Sequence, residues 1–180
     1  MEKFINFLKE NDNGGSHFTT ASTADINKLL DLGKGRLPPE FVEFYTKFMP
    51  KKDVKIRDIK VFNVNKIEEI NSFELPGASL YLHDFLTFGV VSQIEDVVCI
   101  DLKDGAIYQC EHSLFADPNE PIEFFLESIQ ETVRLPINHD NITQCSVKLA
   151  DNFIEFTNNL IDNEWVAYDD VFQYLADMFQ

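Results

Sequence analysis

A single α+β domain is what this 180-residue sequence predicts, and three features predict it. Apolar residues recur at helical spacing near both ends, the middle of the chain switches to a period of two, and no long linker separates the two regimes. The length suits one domain of about 100–200 residues, and 44% hydrophobic content with seventeen Phe supplies a core. That composition excludes wholesale disorder, and the absence of a glycine period or internal repeat excludes collagen-like and solenoid folds. There is no apolar run of about 18 residues to span a bilayer, and the start Met1-Glu2-Lys3 does not read as a signal peptide, so a cytoplasmic location is expected.

Glu2 to Lys9 has Phe4, Ile5 and Leu8 on one side of a short amphipathic helix, broken by the turn residues Asn11 to Ser16. Thr23 is the expected cap of a second helix with Ile26, Leu29 and Leu30 on one face, and Gly33 its expected left-handed end. Leu37-Pro38-Pro39-Glu40 opens a third helix, since proline is tolerated where the first N–H is unpaired anyway. Phe41, Phe44, Tyr45 and Phe48 form its core stripe.

From Val54 the period is two. Val54 and Ile56 alternate with Lys55 and Arg57, and Ile59 and Val61 resume one position out of step, which predicts a bulge or a break between two short strands. Asn65 to Glu68 has capping-box spacing and predicts a short helix over 66–71, followed by a turn at Leu75-Pro76-Gly77. Phe85 to Ser92 and Asp96 to Leu102 are β-branched and aromatic runs. Asp104-Gly105 predicts a type I′ hairpin to Ile107–Cys110, with Lys103 opposite Ala106 and Asp101 opposite Tyr108. After it, Ile122, Phe125, Leu126, Ile129 and Val133 fit a helical stripe, with Glu123, Glu127 and Glu131 on the other face. A polar loop at 137–146 precedes a helix carrying Ala150, Phe153, Ile154, Leu160 and Ile161, and a last helix starts near Asp169.

Charge is the strongest compositional signal. The net charge is −16, and residues 67–180 hold twenty-two acids against Lys103, Arg134 and Lys148. Residues 28–66 are locally basic, with ten Lys or Arg against five acids. A field of this sign repels phosphate backbones, which argues against nucleic-acid binding, and it attracts basic proteins.

Motifs for chemistry are absent. There is no GxSxG elbow, P-loop, GxGxxG or HExxH. Three cysteines make no disulfide framework, and Cys99 sits in an apolar run as a buried small hydrophobe. Cys110-Glu111-His112 is the one close Cys/His pair; without CxxC or HxxxH spacing, no metal and no cofactor are expected. A hydrolase built on Cys145 or Cys110 with a histidine is the enzymatic alternative.

Four blocks in order carry a resemblance. These are Thr23 to Ile26 with Leu37-Pro38-Pro39-Glu40-Phe41 and Phe44-Tyr45; Ile67-Glu68-Glu69-Ile70; Ile100-Asp101-Leu102-Lys103-Asp104-Gly105-Ala106-Ile107-Tyr108; and Leu149 to Phe156. Together they resemble the SUKH superfamily, which contains the Smi/Knr regulators of fungal glucan synthesis and many bacterial toxin-immunity proteins. Phe48-Met49-Pro50 replaces that family's Asn-Gly-Gly, and Asn152 stands where it has Ser. The resemblance implies an antiparallel sheet of four to six strands, a core over 23–161, an inserted helix within 113–143 and a C-terminal helical extension at 162–180. It also implies a non-enzymatic protein-binding domain: an immunity protein neutralising a cognate toxin, possibly a nuclease, or a scaffold linked to cell-wall glucan synthesis. The acids expected to meet a basic partner are Glu95, Asp96 and Asp104 near the hairpin, and Glu123, Glu127 and Glu131 on the inserted helix.

Overall fold

A computed structural model describes residues 2–11, 17–126, 130–162 and 171–178. Helix α1 (Glu2–Asn11) buries Phe4 and Leu8, one turn apart, and Phe4 meets Phe44 with ring centroids 5.7 Å apart. A two-residue strand β1 (Phe18–Thr19) leads to helix α2 (Thr23–Leu32). The cap of α2 is Ser22, one residue before the expected Thr23. Its hydroxyl accepts the Asp25 N–H while the Asp25 carboxylate accepts the Ser22 N–H, a reciprocal capping box. Gly33 does not take the left-handed turn either. Its φ is −72°, and Lys34 (φ 52°) and Gly35 (φ 70°) make the turn instead. Glycine is needed at 33 for space, because a Cβ there would lie 2.2 Å from Leu37 Cγ.

Helix α3 (Pro39–Phe48) starts at the second proline as expected and buries Phe41, Phe44 and Tyr45. It runs into β2 (Met49–Pro50), which pairs with β1. Strands β3 (Val54–Ile56) and β4 (Ile59–Val61) form a hairpin turned by Arg57 at φ 57°, the break read from the slipped alternation. Helix α4 (Val64–Phe73) is capped by Asn63, whose side chain accepts the Lys66 N–H. It therefore starts and ends two residues outside the expected 66–71. Helix α5 (Gly77–Leu82) follows Pro76.

Strands β5 (Phe85–Val91), β6 (Val97–Asp101) and β7 (Ile107–Cys110) build the sheet centre. Every residue of β6 and β7 is buried. The hairpin register differs from expectation by two residues: Cys99 faces Tyr108 and Ile100 faces Ile107. The loop spans four residues because two aspartates bind backbone within it. Asp101 Oδ1 accepts the Lys103 N–H and Asp104 Oδ1 accepts the Ala106 N–H, and Gly105 alone takes positive φ (83°).

The inserted helix is a correction. In its place, β8 (Ile122–Leu126) pairs antiparallel with β9 (Glu131–Leu135). Burial in β8 alternates residue by residue, with Ile122, Phe124 and Leu126 inside and Glu123 and Phe125 outside. A short run with apolar residues at both periods fits either template, and β-branched and aromatic residues favour the strand.

Part of the expected polar loop is helix α6 (His139–Gln144), capped by Asn138, and Ala150 belongs to strand β10 (Val147–Ala150), not to a helix. Helices α7 (Phe153–Asp162) and α8 (Val171–Met178) close the described chain; the start expected near Asp169 lies outside the described residues.

The protein is a single α+β domain. Its main sheet is six-stranded and antiparallel in the order β10-β7-β6-β5-β4-β3. An aromatic layer joins helices to sheet: Phe88 of β5 meets Phe41 edge-on at 5.3 Å and Phe156 at 5.8 Å, and Phe153 lies 4.9 Å from Phe41. Each such ring, fully buried, contributes about 1.5–3 kcal/mol from area alone. None of the described helices is long and apolar enough to cross a membrane.

Candidate functional site

The structure places the acids expected to meet a basic partner on several separate elements. Glu95 is exposed in the β5–β6 turn at φ 64°. Asp104 is exposed in the β6–β7 turn, at the other end of β6. Asp96 is not a surface group: it is 3% exposed and accepts Gln109 Nε2–H at 2.8 Å. Burial, reinforced by neighbouring Glu111, pushes its carboxyl above the usual range despite the hydrogen bond. Glu123 and Glu131 do not share a face. Glu123 stands opposite Arg134 and pairs with it, whereas Glu131 stands opposite Leu126 on the other side of the hairpin. Glu127 lies outside the described residues.

A different charge pattern emerges from pairing. Lys28 meets Glu68, Lys34 and Arg36 both meet Asp84, Lys66 meets Glu69 and Glu74, and Lys148 meets Asp151. Arg36 and Lys34 hold the Asp84 carboxyl well below the ordinary carboxylate range. Glu95, Asp104, Asp117, Glu120, Glu131 and Asp140 are exposed, and among the described residues none pairs with Lys or Arg. Part of the basic stretch lies on the β3–β4 edge of the sheet, and Lys60 and Lys66 line the same cleft as Glu95. Lys55 and Lys60 stand directly across from each other on β3 and β4, where edge lysines also discourage strand addition.

Two polar clusters with buried carboxylates occupy opposite ends of the central strands. At one, His139 Nε2 lies 2.9 Å from Oδ2 of Asp101, which is buried, and the imidazole stacks on Phe85 at 4.9 Å. Burial and His139 lower the pKa of nearby His83. At the other, Asp96, Glu111 and His112 bring three ligating atoms within 4.8 Å of one another. Neither cluster was read from sequence, because its members are far apart in the chain or hidden among twenty-two acids.

The thiols are poorly placed for nucleophilic chemistry. Cys99, Cys110 and Cys145 are all buried. Ser146 Oγ–H donates to Cys110 Sγ at 3.3 Å, and Cys99 Sγ lies 3.1 Å from Thr87 Oγ1. Burial pushes the Cys145 thiol up to about 11, so it is protonated at neutral pH. No family model matches the chain, and no curated protein matches it.

Proposed function

We propose that this chain is a non-enzymatic protein-binding domain for a basic partner, most concretely an immunity protein that neutralises a cognate toxin. One observation carries the reading: among the described residues Glu95, Asp104, Asp117, Glu120, Glu131 and Asp140 are exposed without a Lys or Arg counter-ion, while eight of the fifteen Lys and Arg are engaged with other acids. Unpaired surface acid accelerates encounter with a positive surface and disfavours nucleic acid. A nuclease active site, built to hold phosphates, is a positive surface of this kind. The buried thiols and the resemblance in blocks 23–45, 67–70, 100–108 and 149–156 support the same reading.

The test is binding of the full chain to the product of the adjacent reading frame, measured at 50 and 300 mM NaCl. Affinity is expected to fall at least about tenfold with salt, mainly through a slower on-rate. Asp104→Asn with Glu131→Gln should weaken the low-salt affinity. Salt-independent binding would overturn the charge mechanism. A cell-wall synthesis protein as the bound neighbour would favour the regulatory-scaffold reading over immunity.

A further inference from the structure

The triplet Cys110-Glu111-His112 divides where β7 ends. Cys110 turns into the core, while Glu111 and His112 meet Asp96 across the sheet. Asp96 directly precedes β6 and Glu111 directly follows β7, one step beyond the Val97–Cys110 pair, so the two carboxylates face each other. Like charges in this relation repel, and the repulsion grows as water is removed. Here Asp96 is 3% and Glu111 8% exposed. Among the described residues, no Lys or Arg pairs with either; the group beside both is His112, with Nδ1 3.3 Å from Glu111 Oε1 and 3.8 Å from Asp96 Oδ1.

Hydrogen bonds hold the second oxygen of each carboxylate. Asp96 Oδ2 accepts from Gln109, and Glu111 Oε2 accepts Ser113 Oγ–H at 2.7 Å and the Leu114 N–H at 2.8 Å. Such outer bonds orient a carboxylate and leave its other oxygen as a lone-pair donor. Asp96 Oδ1, Glu111 Oε1 and His112 Nδ1 therefore present two oxygens and one imidazole nitrogen within a single 4.8 Å span. Donors held about 2.0–2.2 Å from one zinc ion fit within that span. His112 also lines a cleft of ≈ 320 Å³ with Lys60, Lys66, Glu74 and Glu95, which gives the site a route to solvent.

We propose that Asp96, Glu111 and His112 form a zinc-binding site with an open coordination position, in which the cation balances two carboxylates facing each other across β6 and β7. Imidazole with carboxylate is a donor set that zinc accepts, and three protein ligands leave a place for water or an outside group. The site does not depend on the partner-binding reading.

The experiment is isothermal titration of ZnCl2 into the full chain after dialysis against EDTA. One equivalent is expected to bind, and His112→Ala and Glu111→Gln should each weaken it at least about tenfold. His112→Ala removes a side chain that contacts both carboxylates, so its metal-free melting curve is recorded first to confirm that the variant is folded. His17→Ala, distant in sequence, should bind like the parent. In thermal melts, zinc should raise the midpoint of the parent and of His17→Ala, but not of His112→Ala. Absence of binding by the parent, or one-equivalent binding unchanged in both His112→Ala and Glu111→Gln, would overturn the proposal.

Discussion

Asn71 shows how one side chain substitutes for a missing strand. The register of β4 against β5 ends at Val61–Gly89, leaving the Thr87 backbone without a strand on that side. Asn71, 2% exposed on α4, donates Nδ2–H to Thr87 O and Ile67 O, both at 2.8 Å, and accepts the Thr87 N–H at 2.9 Å. Asn71→Ala strands buried backbone groups, and each unmet group costs about 1–3 kcal/mol. The variant should lose about 3 kcal/mol in urea unfolding. A loss below about 1 kcal/mol would mean that the Thr87 backbone finds other partners. Nothing in the sequence marks Asn71, because an asparagine in a helix suggests solvent until the opposing strand is known. Cys99, by contrast, was legible, since an unbroken run of Val97 to Ile100 leaves a small thiol nowhere but the interior.

Among elements, β8 and β9 are the sharpest departure from expectation. A helix with the stripe Ile122, Phe125, Leu126, Ile129 and Val133 would bury Phe125. The hairpin instead leaves Phe125 53% exposed and Phe124 4% exposed. Phe124→Ala should therefore cost about 3–5 kcal/mol, and Phe125→Ala should stay within about 0.5 kcal/mol. Chemical denaturation of the two variants checks this, and the reverse order would restore the helix. Errors of one or two residues elsewhere have a simpler origin. Ser22 rather than Thr23 caps α2 because Asp25 closes a capping box with it, and Asn63 rather than Asn65 caps α4 through the Lys66 N–H. The β6–β7 register slipped for a related reason. Asp-Gly fits a two-residue turn, but Asp101 and Asp104 each bind a backbone N–H that favours a four-residue loop.

For the whole molecule, a net charge of −16 opposes compactness by self-repulsion. Screening should outweigh the loss of exposed ion pairs, which are worth about 0–1 kcal/mol each. Raising NaCl from 50 to 500 mM should raise the thermal midpoint, read by circular dichroism, whereas a fall would mean that the pairs at Asp84 and Lys66 dominate. The α+β class, the proline-opened α3, the β3–β4 break, the adjacency of β6 and β7 and the excess of acid were legible in the chain, because each follows from local periodicity, turn chemistry or counting. Where the acids lie was not. Strand pairing buries Asp96 against Glu111, puts Glu123 and Glu131 on opposite faces of a hairpin, and brings His139 to Asp101. Those relations join residues distant in sequence, and a one-dimensional pattern carries the tendency to pair but not which partner completes the pair.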